Sequence, residues 1–272
     1  MLQQLEETIS WLKPYIPEET KVGIILGTGL GGLVNQITNK KEIPYEEIPH
    51  FPVSTVEGHH GKLIIGQLGG KSILAMQGRF HYYEGYSMKE VTYPVRVMQL
   101  LGVEYLFVSN AAGGMNNSFQ VGDIMLIEDH INLFPEHPLR GKNFKELGTR
   151  FPDMSDVYDK DLRKLAIEIA GQNTIKLQFG VYVGTQGPTF ETPAEYRFFS
   201  VIGGDAVGMS TVPEVIVARH GGMKVLAFSV ISDLGVYGKT VEVSHEEVQK
   251  AARIAQPKMA FIMEEVIRRL SL

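Results

Sequence analysis

Apolar positions along the 272-residue chain fall into two rhythms. Leu2, Leu5, Ile9 and Leu12 recur at helical spacing, which predicts an amphipathic helix at the start. Val248, Ala252, Ala255, Met259, Ile262 and Val266 predict another at the end, with Pro257 as an expected kink. Between them the apolar residues come in short runs, most of them rich in β-branched side chains. These predict strands at Val22–Leu26, Leu63–Leu68, Ile73–Met76, Tyr105–Val108, Ile124–Ile127, Gly180–Val183, Ala206–Met209 and Val225–Val230. Several runs are almost unbroken, as strands covered on both faces should be. Helical segments alternate with them, and no repeat or Pro/Ser-rich linker divides the chain. The expectation is an α/β fold: a single domain over residues 1–272, with a mixed central β-sheet flanked by helices.

Three helix starts are signed by capping boxes: Ser87 with Glu90, Thr192 with Glu195, and Thr211 with Glu214. Pro193 suits a first helical position. Polar and glycine-rich residues cluster where the predicted strands end: Gly27-Thr28-Gly29, Gln77-Gly78-Arg79, Ser109 to Gly114, Gly184 to Gly187, and Met209-Ser210. In open α/β sheets the carboxyl ends of strands border the ligand crevice, so these segments are expected to converge on one site.

Charge and composition narrow the chemistry. A formal net charge of −5 argues against a general grip on nucleic acid, which needs a basic face. With no cysteine there is no disulfide, thiolate metal site or cysteine nucleophile. The N-terminus lacks the basic-then-apolar order of a signal peptide, and no apolar run reaches membrane-spanning length. A cytoplasmic protein without membrane contacts is expected.

Individual motifs leave alternatives open. Gly27, Gly29 and Gly32 match the glycine spacing of a dinucleotide turn. The segment behind them shows no long helix and no compact βαβ unit, so a loop that offers backbone N–H groups and the Thr28 hydroxyl to an anion is the better reading; a plain tight turn is the third. Arg79 and His81 offer a planar fork for phosphate oxygens beside an imidazole, or else a surface arginine beside a core-edge histidine. Ser210 precedes a helix N-terminus already capped by Thr211, which leaves its hydroxyl available for an anion. Glu191 serves the next helix dipole, or accepts from a ligand N–H while Phe190 stacks on a flat ring. His245-Glu246-Glu247 lacks the second histidine of a zinc motif. Glu128, Asp129, His130, Glu136 and His137 have no regular metal-ligand spacing and read as loop or subunit contacts.

Taken in order, several long strings resemble the trimeric purine nucleoside phosphorylases over nearly the whole chain. They are residues 25–31 (ILGTGLG), 54–59 (STVEGH), 76–86 (MQGRFHYYEGY), 110–114 (NAAGG), 150–156 (RFPDMSD), 187–192 (GPTFET) and 206–215 (AVGMSTVPEV). The resemblance implies a phosphorylase/hydrolase-like fold and phosphorolysis of purine (2'-deoxy)ribonucleosides in purine salvage. It implies that Thr28, His59, Arg79, His81, the Ala111 N–H and Ser210 bind phosphate. Tyr83, Met209 and His245 would hold the ribose, with Phe151 reaching in from a neighbouring subunit of a homotrimer. Phe190, Glu191 and Asp233 would face the purine, Glu191 on its N1 edge. His81, Glu191, Asp233 and His245 would then be the residues nearest the chemistry. Inorganic phosphate would be the co-substrate, with no other cofactor and no metal.

That chemistry suits the residue types. Glycosidic cleavage passes through an oxocarbenium-like sugar, and bound phosphate would replace the carboxylate nucleophile of a retaining glycosidase. One departure stands out: Ser232-Asp233 occupies the place where the family usually presents asparagine to the base. Ionised Asp only accepts hydrogen bonds, which suits a 6-amino group and opposes a 6-oxo group. An adenosine or methylthioadenosine phosphorylase on the same scaffold is therefore the alternative expectation.

Overall fold

The computed structural model describes residues 1–27, 31–53, 61–235 and 244–272, apart from the side chain of residue 245. Nine strands form one mixed sheet: β1 (Val22–Leu26), β2 (Thr38–Pro44), β3 (Lys62–Leu68), β4 (Lys71–Gln77), β5 (Tyr105–Gly114), β6 (Ile124–Asn132), β7 (Leu177–Gly184), β8 (Ala206–Gly208) and β9 (Lys224–Leu234). Among the described residues seven α-helices accompany them: α1 (Leu2–Leu12), α2 (Met88–Val91), α3 (Tyr93–Leu100), α4 (Lys160–Gln172), α5 (Pro193–Val201), α6 (Val212–His220) and α7 (His245–Arg269). The α/β expectation holds.

Strand order is β2-β3-β4-β1-β5-β8-β7-β6-β9, and β9 also pairs with β5. The second half of the sheet thus closes on itself, while β2 is left as an edge. Neighbours around β1 and the β5–β9 pair are parallel; β5–β8 and β6–β9 are antiparallel. The alternation of strand side chains divides the core in two. Ile25, Leu74 and Val108 join α1, α3 and α6 on one face. Ile24, Ala75 and Phe107 join α4 and α7 on the other.

The eight strands read from the sequence are present, but six of them, β3, β4, β5, β6, β7 and β9, extend beyond their apolar runs. Ser109 to Gly114 is the end of β5 rather than a loop behind it, and Ser232 and Asp233 lie inside β9. Ladder pairing to neighbours carries the backbone on after the side chains turn polar. The Glu128–His130 cluster likewise lies on β6, not in a loop, with His130 Nδ1 and Tyr158 Oη 3.0 Å apart. Behind β1 comes a short 3-10 turn, Gly31–Gln36, and then β2. The helix that a dinucleotide turn requires is replaced by an edge strand.

Candidate active site

Five chain segments meet at one end of the sheet. Arg79 and His81 follow β4; Asn110 to Gly113 end β5; Phe190 and Glu191 precede α5; Met209 and Ser210 link β8 to α6; Ser232 and Asp233 end β9. Together with Tyr83 they line one open cavity.

One end of the cavity is built on opposite charges. Arg79 is 1% exposed. Its Nε and Nη2 donate to the two carboxylate oxygens of Glu214 at 3.1 and 2.9 Å, while Nη1 donates to the Ser109 carbonyl at 2.8 Å and to Ser210 Oγ at 3.1 Å. The planar fork therefore faces Glu214, because a guanidinium this deeply buried needs a counter-charge. Glu214 is the third residue of α6, and it also accepts the Thr211 N–H at 3.0 Å. A single carboxylate thus caps the helix and neutralises Arg79. Thr211 pays for that junction with φ of 70°, a region a β-branched residue rarely enters. Asn110 Nδ2 donates to Thr211 Oγ1 at 2.8 Å, and its buried Oδ1 has no partner among the described residues.

His81 sits beside this pair, stacked on Tyr83 with ring centroids 4.6 Å apart. Its Nδ1 lies 2.9 Å from Glu84 Oε1. Since that carboxylate only accepts, the Nδ1 position carries the proton. Burial holds His81 below the ordinary imidazole range, against the pull of Glu84 in the other direction. The same cause pushes the Tyr83 phenol up to about 12.

The other end gathers like charges. Asp233 is buried, accepting from Tyr196 Oη at 2.8 Å and from Ser232 Oγ at 2.7 Å. Glu191 lies near enough for its carboxyl to be pushed up to about 7, first by burial and then by the charge of Asp233. Phe190 adds a ring at the rim, 43% exposed. A bulge aims the β9 residues: Ala112 pairs with Ile231 but Gly113 with Asp233, so Ser232 is the extra residue. Strict alternation would send Ser232 and Asp233 to opposite faces; the bulge lets both line the cavity.

Of the residues expected to act, Arg79, His81, Tyr83, Ala111, Phe190, Glu191, Met209, Ser210 and Asp233 come together in this cavity. Thr28 and His59 lie outside the described residues. His245 begins α7, its side chain is outside the description, and Val248 one turn further on lines the cavity. Phe151 stands apart, 86% exposed, and does not line the cavity of its own chain. Sequence reasoning missed Glu214, read only as a cap, and Tyr196, which reads as an ordinary core position of α5. The signal for Glu214 was its place in a capping box directly behind Ser210.

Comparison with known proteins follows the same lines. Residues 21–268 match the Phosphorylase superfamily model. The chain is 55% identical over 250 residues to purine nucleoside phosphorylase 1 of Bacillus subtilis, covering 92% of each chain. Two solved structures of Schistosoma mansoni purine nucleoside phosphorylase each superpose with a TM-score of 0.94. One is a complex with adenosine, at 42% identity, and the other a complex with inosine, at 41%; each match covers 100% of this chain and 98% of that one.

Proposed function

The chain belongs to the purine nucleoside phosphorylases of the phosphorylase superfamily, and on that premise we propose that it cleaves purine (2'-deoxy)ribonucleosides reversibly with inorganic phosphate. The products are the free base and (deoxy)ribose 1-phosphate, so the enzyme is a pentosyltransferase serving purine salvage. The observation that carries this reading is the two-ended cavity, with an anion-suited end at Arg79 and Ser210 and a base-suited end at Phe190, Glu191 and Asp233.

In this reading a phosphate oxygen forms a bond to the anomeric carbon as the bond to the purine nitrogen breaks. Ser210, the Ala111 N–H and the positive end of α6 hold the anion, with Arg79 behind Ser210. Thr28, His59 and His81 complete the phosphate shell. Tyr83, Met209 and His245 face the ribose. The phosphate charge stabilises the cationic sugar, and the base-suited end receives the electrons left on the departing ring. No metal or further cofactor takes part. The enzyme works in the cytoplasm as a homotrimer, in which exposed Phe151 covers the ribose of the adjacent subunit.

A second reading is favoured by Asp233. With two hydroxyls donating to it, its carboxylate is suited to accept from a 6-amino group, as in an adenosine or methylthioadenosine phosphorylase. Turnover of inosine, guanosine, adenosine and methylthioadenosine, each with and without phosphate, tests both. Cleavage that does not depend on phosphate would refute phosphorolysis; the ranking of the four nucleosides decides between the two readings.

A further inference from the structure

Tyr196 is 2% exposed, and its hydroxyl faces the carboxyl groups of the base-suited end. It donates to Asp233 Oδ2 at 2.8 Å and also engages Glu191. Two glycines make room for it: a Cβ on Gly113 would stand 2.7 Å from the hydroxyl, and one on Gly235 would overlap the ring. A phenol has one proton to donate. Once that proton points at Asp233, the Tyr196 oxygen meets Glu191 favourably only if Glu191 is the donor, hence neutral. The reversed chain also closes. Ionised Glu191 accepts from Tyr196, whose oxygen then accepts from neutral Asp233. Both arrangements hold two protons and one negative charge. They interconvert when the Glu191 proton passes to Tyr196 Oη as the Tyr196 proton passes to Asp233 Oδ2.

We propose that Glu191, Tyr196 and Asp233 form a two-proton relay, with Tyr196 as its positioning residue, that lets one pocket accept both 6-aminopurine and 6-oxopurine nucleosides. This rests on the phosphorylase reading of the site. With Glu191 neutral and Asp233 ionised, the pocket offers a donor to an unprotonated N1 and an acceptor to a 6-amino group. With the protons shifted, it offers an acceptor to N1–H and a donor to a 6-oxo group. On binding, the neutral carboxyl turns its O–H from Tyr196 to the base, while Tyr196 keeps its hydrogen bond to the ionised one.

The surroundings hold the second proton up to the neutral range. The charged groups facing Glu191 are Asp233 and Glu195; those facing Tyr196 are Asp233 and Glu191. Glu195 is held below the ordinary carboxylate range by the Thr192 N–H and hydroxyl, so it stays ionised. Burial and the Asp233 charge keep a proton on Glu191 into the neutral range. Burial holds the Tyr196 phenol far above its ordinary value.

The test is kcat/KM for adenosine and inosine at saturating phosphate, from mildly acidic to mildly basic pH, in the wild type and in Tyr196→Phe. In the wild type both substrates are turned over, and both profiles fall together on the basic side because both active forms carry the same two protons. Tyr196→Phe separates the profiles and changes the substrate ratio by about tenfold or more, the size expected when buried polar groups lose their partner. Coincident profiles and an unchanged ratio in folded Tyr196→Phe overturn the relay. So do wild-type basic limbs more than about one pH unit apart, a result that needs no variant. A wild type that cleaves only one class of base overturns the relay and leaves the phosphorylase reading standing. A wild type that cleaves neither with phosphate removes the reading itself.

Discussion

The two ends of the cavity solve opposite electrostatic problems. At Arg79 and Glu214, unlike charges are buried face to face, and each removes the other's need for solvent. At Glu191 and Asp233, like charges are brought together in a poorly solvated pocket, and only protons relieve them. The first arrangement is intolerant of losing either partner. The second tolerates substitution of either partner and is governed by pH. Stability should therefore depend on the anion-suited end and base selectivity on the other.

Breaking the ion pair from its acidic side sharpens this contrast most. Glu214→Ala leaves the Arg79 guanidinium buried without its counter-charge and uncaps α6, and should destabilise the fold by about 3–5 kcal/mol. Thermal or urea unfolding would show it; a variant as stable as the wild type would mean the pair is not structural. Arg79→Ala is expected to reduce the use of phosphate by about 1.5–3 kcal/mol, read as kcat/KM for phosphate, with a smaller change for the nucleoside. Equal losses for both would show that the two ends are not separable.

At the like-charged end, Asp233→Asn should move preference toward 6-oxopurines by about 1–3 kcal/mol in kcat/KM. The same change removes one of the causes that raise Glu191, so the basic limb of the profile should move to lower pH. Glu191 also gives stability a pH dependence of known sign. Its carboxyl binds a proton more tightly in the folded chain, at about 7, than at its ordinary 4.5. Its contribution is therefore fully present at low pH and is lost as pH rises through that window. The denaturation midpoint of the wild type should carry that slope, and Glu191→Gln should flatten it.

The smallest effect on stability belongs to Phe151→Ala. A side chain 86% exposed on its own chain should change monomer stability by less than about 0.5 kcal/mol. Activity should nevertheless fall, and mixing Phe151→Ala with Arg79→Ala subunits should restore part of it. No restoration in verified mixed trimers would count against a shared site.

What could be read beforehand follows the same division. Apolar runs revealed eight strands because those strands are buried on both faces. β2 escaped because Thr38 to Lys41 and Glu42 are exposed and mostly polar, as an edge strand with one partner needs to be. Ser210 was legible as a residue whose chemistry exceeds what its local structure requires, Arg79 and Glu191 left two readings open, and Asp233 entered only through the family resemblance. Tyr196 was not legible, because a tyrosine on a helix says nothing about which strand its hydroxyl reaches. The ends of β5 and β9 were misjudged for a related reason: Gly113 and Gly114 look like loop residues, but they are glycines because neighbouring side chains occupy the space above them.

Strand β5 runs past both ends of the cavity. Its Ser109 carbonyl holds Arg79, and four residues on, Gly113 lies under Tyr196 and Asp233. At the rise of an extended chain those two points are about 13 Å apart. On the proposed reading, the backbone of β5 would act as a ruler for the gap that a sugar bridges between an anion and a base. Its graduations are peptide bonds fixed by the parallel pairing with β9, so lengthening or shortening it by one residue would leave a ligand able to reach either mark but not both.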